Sequence, residues 1–312
     1  MSSPFWSLVA GIVAFLGSAT LIAYLLAWKS GTQNATISNL IERIHSWWWL
    51  VAFTVPFIAL GPTAATLLFG LASFLALREF LSLTPTRPGD RLAMFIAFFI
   101  AVPLQFWLVG IQWYGLYAIL LPVYGFFLLP ACSTLTQDTQ DFLARCARIQ
   151  WAVMVCVYGI SHIPALMQLD IPGYSTAAGA LLLYFILVAQ LSDVLQYVCG
   201  KLLGKHKVAP VLSPNKTWEG LLGGGLLATL IGASLHGVTP FTVWQAGFLS
   251  LVVVVTGFFG GLILSAVKRS LGAKDWGTGI PGHGGVLDRL DSLAFSAPIF
   301  FHLTRYWFVE PL

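Results

Sequence analysis

Residues 265–291 hold the densest set of chemically reactive side chains in the sequence. Only 9% of the 312 residues are charged, yet this stretch contains four cations, three aspartates, one histidine and six glycines. Lysine and arginine bind phosphate oxygens, and aspartate holds hard divalent cations. Glycine lets the backbone turn tightly and approach a phosphate closely. The stretch is therefore predicted to carry a site for phosphate chemistry.

A second polar stretch precedes the first. Asp193 lies in an apolar segment, and Ser213-Pro-Asn-Lys-Thr-Trp-Glu-Gly220 follows it. An ionisable group in such a segment needs a partner, such as a metal ion or a lysine. The alternative is that Asp193 caps a helix end against Lys201. Three lysines in this region are equally compatible with binding anionic headgroups: Lys201, Lys205 and Lys207.

The elements that position these residues are predicted to be membrane-spanning helices. The sequence is 58% hydrophobic and 14% aromatic, and its mean hydropathy is +0.84. These values predict an all-α, polytopic integral membrane bundle. Ten spans are expected, near 4–28, 46–60, 62–77, 92–110, 114–131, 150–168, 176–198, 219–237, 245–267 and 292–309. The second and third spans could instead form one kinked element, which leaves nine or ten.

The placement of positive charge predicts the orientation of the bundle. With ten spans, alternate loops carry 15 of the 16 Lys and Arg residues, and only Arg305 lies near the other face. Short loops rich in Lys and Arg stay cytoplasmic. Both termini are thus expected outside, with 199–218 and 268–291 facing the cytoplasm. A net charge of +4 needs only this topology and contact with membrane lipids, and no nucleic-acid motif is present.

Both polar stretches resemble a known family. Ser265, Lys268-Arg269, Lys274-Asp275 and the run Pro-x-His-Gly-Gly-x-x-Asp-Arg-x-Asp ending at Asp291 resemble the signature of phosphatidate cytidylyltransferases, also called CDP-diacylglycerol synthases. The run from Asp193 to Gly220 resembles two further segments of that family, with Gln196 for Ala and Asn215 for Lys. The resemblance covers roughly 176–300. It divides the chain into N-terminal helices, 1–175, and a catalytic region, 176–312, within one membrane domain.

The resemblance implies that CMP is transferred from CTP to phosphatidate, giving CDP-diacylglycerol and pyrophosphate in phospholipid biosynthesis. It also implies a bacterial inner-membrane location, a homodimer, and Mg²⁺, with Mn²⁺ or a second, monovalent cation as alternatives. The implied metal ligands are aspartates: Asp288, Asp291, Asp275 and Asp193. The implied phosphate-binding and positioning groups are Lys216, Lys268, Arg269, Lys274, Arg289 and His283. The implied substrate contacts are Ser213, Asn215, Ser265, Gly282, Gly284 and Gly285.

One departure from the family and three alternatives accompany this interpretation. Many bacterial members carry an aspartate where this chain has Gly261, so one metal carboxylate is missing. The acceptor could be another lipid phosphate, such as an isoprenoid or ether lipid. A transporter would need polar groups near the membrane midplane and internal repeats. A CDP-alcohol phosphotransferase would carry an Asp-Gly-x-x-Ala-Arg pattern, which is absent.

Overall fold

The structure is a computed structural model that describes residues 3–30, 35–174, 178–277, 279 and 284–309. Most of these residues are helical. The long helical segments are α1 (Ser3–Ser30), α2 (Ala35–Ala59), α3 (Pro62–Leu83), α4 (Pro88–Gly110), α5 (Tyr114–Thr134), α6 (Phe142–Gln168), α7 (Ala178–Leu203), α8 (Gly220–Val238), α9 (Val243–Ser270) and α10 (Leu287–Phe308).

The helices confirm an all-α integral membrane bundle. Within the described residues, eight helices are long and apolar enough to cross a membrane, and Ile44–Ala59 is a shorter apolar helix. The tenth segment, α10, is not among the eight. It has 22 residues, but both of its ends are charged, with Asp288, Arg289 and Asp291 at the start and Arg305 in the last turn.

The second and third predicted spans form two separate helices. α2 ends at Ala59 and α3 begins at Pro62. Gly61 between them has a φ of 113°, a value that favours glycine. Proline then suits the first helical turn, where its missing N–H leaves no bond unmade. α2 also begins earlier than the predicted span, at Ala35.

A short antiparallel hairpin lies between α7 and α8, where no strand was predicted. Strands β1 (Lys207–Ala209) and β2 (Ser213–Thr217) pair Lys207 with Thr217 and Ala209 with Ser213. The hairpin matters because it carries Lys216 back toward the bundle.

Charged groups gather at one end of the bundle. Arg145 bonds to Asp90 at 2.8 Å, and both side chains are buried. Arg87 bonds to Asp138 at 2.8 Å. Glu79, near the end of α3, contacts the start of α10 at this same end.

The opposite end is held by mostly neutral pairs. Gln112 donates to Gln168 at 2.8 Å, and Tyr174 donates to the carbonyl of Val238. At this end Arg305 lies over the ring of Tyr114, with 3.9 Å between the guanidinium carbon and the ring centroid. The separation of charge between the two ends agrees with the alternation of loops in the sequence.

Candidate active site

Asp288 holds the glycine-rich loop between α9 and α10 through both carboxylate oxygens. Oδ1 accepts from Lys268 Nζ at 2.6 Å. Oδ2 accepts from the backbone N–H groups of Trp276, at 2.8 Å, and Gly285, at 2.9 Å. Asp288 and Lys268 are both buried. The carboxylate therefore joins the end of α9, the loop and the first turn of α10.

Gly284 is required by this closure. Its φ is +78°, and a Cβ placed there would lie 2.7 Å from Asp288 Oδ2. A larger residue would be strained and would also displace the aspartate. A glycine at position 284 is thus needed for the structure of the loop itself, in addition to any close approach to a phosphate.

α3 contributes two side chains to the other face of the loop. Glu79 accepts from the N–H groups of Val286 and Leu287, both at 2.9 Å. Phe80 stacks on Trp276, with ring centroids 4.8 Å apart and planes 17° apart. Trp276 is only 1% exposed. Sequence reasoning missed all three contacts, and the one available signal was an acid near the end of a strongly apolar helix.

A second group of carboxylates lies deeper in the bundle. Ser292 on α10 joins them, because its Oγ donates to Asp193 Oδ2 at 2.9 Å and its N–H donates to Asp291 Oδ1 at 2.8 Å. Among the described residues, no further hydrogen bond reaches Asp193 Oδ1 or Asp291 Oδ2. The predicted span 176–198 had placed Asp193 near the end of its helix. α7 instead continues to Leu203, so Asp193 lies well inside it.

Lys216 brings a positive charge to these carboxylates from the hairpin. Its Nζ donates to the carbonyl of Phe258 at 3.1 Å and lies 4.5 Å from the Phe258 ring. A Cβ placed on Gly261 would lie 3.1 Å from Lys216 Nζ and 3.8 Å from Asp291 Oδ2. Burial lowers the pKa of Lys216, and the charges of Asp193 and Asp291 act against that shift. The ammonium therefore lies on the side of Gly261 from which a side chain would project, close to Asp291.

The hairpin itself is held by Glu219. This carboxylate accepts from the N–H groups of Lys205, at 3.0 Å, and His206, at 3.2 Å. It also bonds to His206 Nδ1 at 2.6 Å, and this bond, together with those from the backbone N–H groups, lowers the pKa of Glu219 to about 2. Glu219 thus closes the turn from α7 into β1. It acts on the site by fixing the hairpin that carries Lys216.

Glycines allow α8 to pack tightly on α7 below the hairpin. A Cβ on Gly224 would lie 2.5 Å from Gln196 Cα, and one on Gly220 would lie 2.7 Å from the Gln196 carbonyl oxygen. Small residues at such points let two backbones approach closely in a membrane. This packing fixes the part of α7 that carries Asp193.

Arg289 lies between the two groups of carboxylates in sequence and presents a buried donor. Its Nε is buried, and no hydrogen-bond acceptor for it is found among the described residues. Its carbonyl accepts from Gln190 at 3.4 Å. A buried guanidinium N–H without an acceptor suits an anionic ligand.

The remaining predicted residues lie around this centre. Lys274 and Asp275 are exposed on the loop, and exposed Arg269 donates to the carbonyl of Ala273 at 3.2 Å. Ser265 donates to the carbonyl of Gly261 at 2.7 Å. Ser213 and Asn215 lie on β2, with Asn215 exposed. Gly285 lies against Glu79. Gly282 and His283 lie outside the described residues.

The structure thus brings most of the predicted residues together at one end of the bundle. Asp193, Asp291 and Lys216 form one group. Lys268, in the last turn of α9, and Asp288, in the first turn of α10, form a neighbouring one. Lys274 and Asp275 extend from the loop into solvent. Ser292, Glu79 and Trp276 join the site without having been predicted.

Comparisons with known proteins agree with this arrangement. The model of the cytidylyltransferase family matches residues 41–307. The chain belongs to this family, and it is thereby placed among membrane nucleotidyltransferases.

Individual relatives cover different parts of the chain. It is 36% identical over 302 residues to "Uncharacterized protein YnbB" of Escherichia coli, covering 96% of this chain and 97% of that protein. It is 30% identical to a phosphatidate cytidylyltransferase of Staphylococcus haemolyticus, covering 78% of this chain and 91% of that protein. A phosphatidate cytidylyltransferase of Mycobacterium leprae is 48% identical over 112 residues, 35% of each chain.

Proposed function

We propose that this protein transfers CMP from CTP to phosphatidate, giving CDP-diacylglycerol and pyrophosphate. The observation that carries the proposal is the group formed by Asp193, Asp291 and Lys216 beside the glycine-rich loop. Membership of the cytidylyltransferase family supports the reaction type. The relatives named phosphatidate cytidylyltransferase support phosphatidate as the acceptor.

The reaction joins two anions. A phosphate oxygen of the lipid attacks the α-phosphorus of CTP and forms a new P–O bond. The bond from that phosphorus to the oxygen bridging the β-phosphorus breaks, and pyrophosphate leaves with the electron pair. The attacking phosphate is already ionised near neutral pH, so no base has to remove a proton. The protein must instead offset charge and align the reactants.

The described residues offer groups for each task. Arg289 presents to an anion a buried Nε–H for which the described residues supply no acceptor. Lys216 offsets charge at the deep end of the site. Lys274, exposed on the loop, meets the nucleotide phosphates as they enter. Arg269, exposed in the last turn of α9, acts in the same way.

A divalent cation fits the carboxylates. Asp193 and Asp291 each retain an oxygen that no described residue occupies with a hydrogen bond. Mg²⁺ is typically held by one or two carboxylates together with substrate phosphates and water, so two ligands suffice. Bound there, it would neutralise phosphate charge during the transfer. Asp288, whose oxygens are both already bonded within the protein, acts first as the anchor of the loop.

A synthesis assay with several acceptors tests the function. Purified protein in lipid nanodiscs is given Mg²⁺, CTP labelled at the α-phosphate, and either phosphatidate, an ether-linked phosphatidate or an isoprenoid phosphate. Label is expected in CDP-diacylglycerol, with one pyrophosphate per product. Label in another CDP-lipid alone would keep the reaction type and replace the acceptor. No labelled lipid with any acceptor would overturn the proposal.

A further inference from the structure

We propose that Glu79 is a positioning residue for this reaction: its carboxylate, on α3, sets where the glycine-rich loop ends and α10 begins. The proposal rests on the proposed function, because the residues being positioned are those assigned to it. Glu79 lies outside both polar stretches of the sequence, more than 100 residues before the first of them.

The hydrogen bonds of Glu79 give the first argument. Oε1 accepts from Val286 N and Oε2 from Leu287 N, both at 2.9 Å. These N–H groups belong to the start of α10, where four donors have no partner within the helix. A negative charge there also interacts favourably with the helix dipole. The carboxylate therefore fixes the first turn of α10 in both position and direction.

The loop glycines give the second argument. A Cβ on Gly285 would lie 2.6 Å from the Glu79 carboxyl carbon, and one on Gly277 would lie 3.0 Å from Oε1. A Cβ on Gly279 would lie 4.0 Å from the same oxygen. Three glycines, two in the first part of the loop and one just before α10, thus face one carboxylate. At these three described positions of the loop, the lack of a side chain leaves room for Glu79.

The rigidity of α3 gives the third argument. Phe80, the next residue, stacks on buried Trp276. About two turns before Phe80, Ser73 donates to the carbonyl of Cys156 on α6 at 2.7 Å, and both residues are buried. α3 is therefore bonded to α6 through Ser73 and packed against the loop through Phe80. Glu79 is fixed well enough to define the position of what it binds.

The consequence for the site follows from the positions on α10. Asp288, Arg289 and Asp291 all lie within the first two turns after Leu287. A shift in the start of the helix moves all three together, relative to Asp193 on α7. Misplacement of about 1 Å can cost about 100-fold in rate. Glu79 thus acts on the reaction through α10, without contact with the reacting atoms.

Amide exchange and turnover in matched variants test the proposal. Glu79→Gln keeps the size but leaves one acceptor for two N–H groups, and Glu79→Asp keeps the charge on a shorter side chain. Glu42→Gln, on an exposed side chain of α2, is the control. Hydrogen–deuterium exchange is followed by mass spectrometry on substrate-free protein. CDP-lipid synthesis is then measured on the same preparations.

We expect exchange in the 284–290 peptide to rise at least about tenfold in Glu79→Gln, with intermediate values in Glu79→Asp and none of this change in Glu42→Gln. Peptides from α8 and α9 should keep their wild-type exchange. Turnover should fall at least about tenfold in Glu79→Gln. Wild-type exchange in 284–290 would overturn the proposal, and so would raised exchange with unchanged turnover. Failure of the proposed function is distinguishable, because the wild type itself would then make no CDP-lipid.

Discussion

Aspartates that look alike in the sequence have different surroundings in the structure. Asp288 and Asp291 are three residues apart, and that spacing alone predicts a shared role in binding metal. Asp288 is bonded through both oxygens to Lys268 and to two backbone N–H groups. Asp291 retains an oxygen that faces Gly261 and Lys216. Sequence spacing alone does not show which carboxylate is hydrogen-bonded within the loop and which retains an oxygen for a ligand.

Asp288→Asn is expected to lower stability, because it leaves the Lys268 ammonium buried without its counter-charge. Removing one partner of a buried ion pair costs about 3–5 kcal/mol. Thermal unfolding in detergent measures the effect as a lower midpoint. The double variant Lys268→Met with Asp288→Asn should recover part of the loss. A midpoint equal to that of the wild type in Asp288→Asn would contradict the anchor role.

The contact between Gly285 and Glu79 predicts non-additive substitutions. Gly285→Ala places a methyl group against the Glu79 carboxylate, so it should lower the unfolding midpoint. The same substitution in a Glu79→Ala background should cost clearly less, because the obstructing carboxylate is gone. A double-mutant cycle isolates this coupling. Strictly additive effects would show that Gly285 is needed for another reason.

At the scale of elements, α7, α8 and the hairpin between them are held together by glycines and by the carboxylate of Glu219. Glu219 closes the turn into the hairpin, and Gly220 and Gly224 let α8 press on α7. These contacts join protein groups to one another. They determine where Lys216 and Asp193 lie, so motif residues in this region have roles in architecture.

Neighbouring glycines of α8 provide a matched test of the helix packing. Gly224→Ala forces a methyl group into the backbone of Gln196, whereas Gly223→Ala makes only ordinary contacts with Cys199, at 3.6 Å or more. Gly224→Ala should lower both the unfolding midpoint and turnover. Gly223→Ala should behave as the wild type. Equal behaviour of the two variants would refute the close approach of α7 and α8.

At the scale of the whole molecule, the sequence predicted the helical membrane bundle and the convergence of its two polar stretches. Composition, charge alternation and motif spacing carry that information. The hairpin was not predicted, because Ser213–Thr217 has no long alternating pattern and contains Pro214, a residue that argues against a strand. Glu79 was missed for a different reason. Its role depends on α3 packing against α10, a contact between residues more than 200 positions apart.

Orientation in the membrane can be tested by labelling from one side. In a cysteine-free background, Lys207→Cys on the exposed hairpin should resist an impermeant maleimide in intact cells and react after lysis. Gly237→Cys, at the opposite end with open space around it, should react in intact cells. This follows from the clustering of Lys and Arg at the hairpin end. The reverse pattern would place the site outside.

The central claim is that CMP transfer takes place at the group formed by Asp193, Asp291 and Lys216. The most direct measurement compares CDP-diacylglycerol formation from labelled CTP and phosphatidate by the wild type, Asp291→Asn and Asp170→Asn. Asp170 is exposed at the opposite end and serves as the control. We predict wild-type rates for Asp170→Asn. Asp291→Asn should lose at least about 100-fold, the order lost with one preorganised electrostatic group, while remaining folded. Near wild-type synthesis by Asp291→Asn would contradict the account.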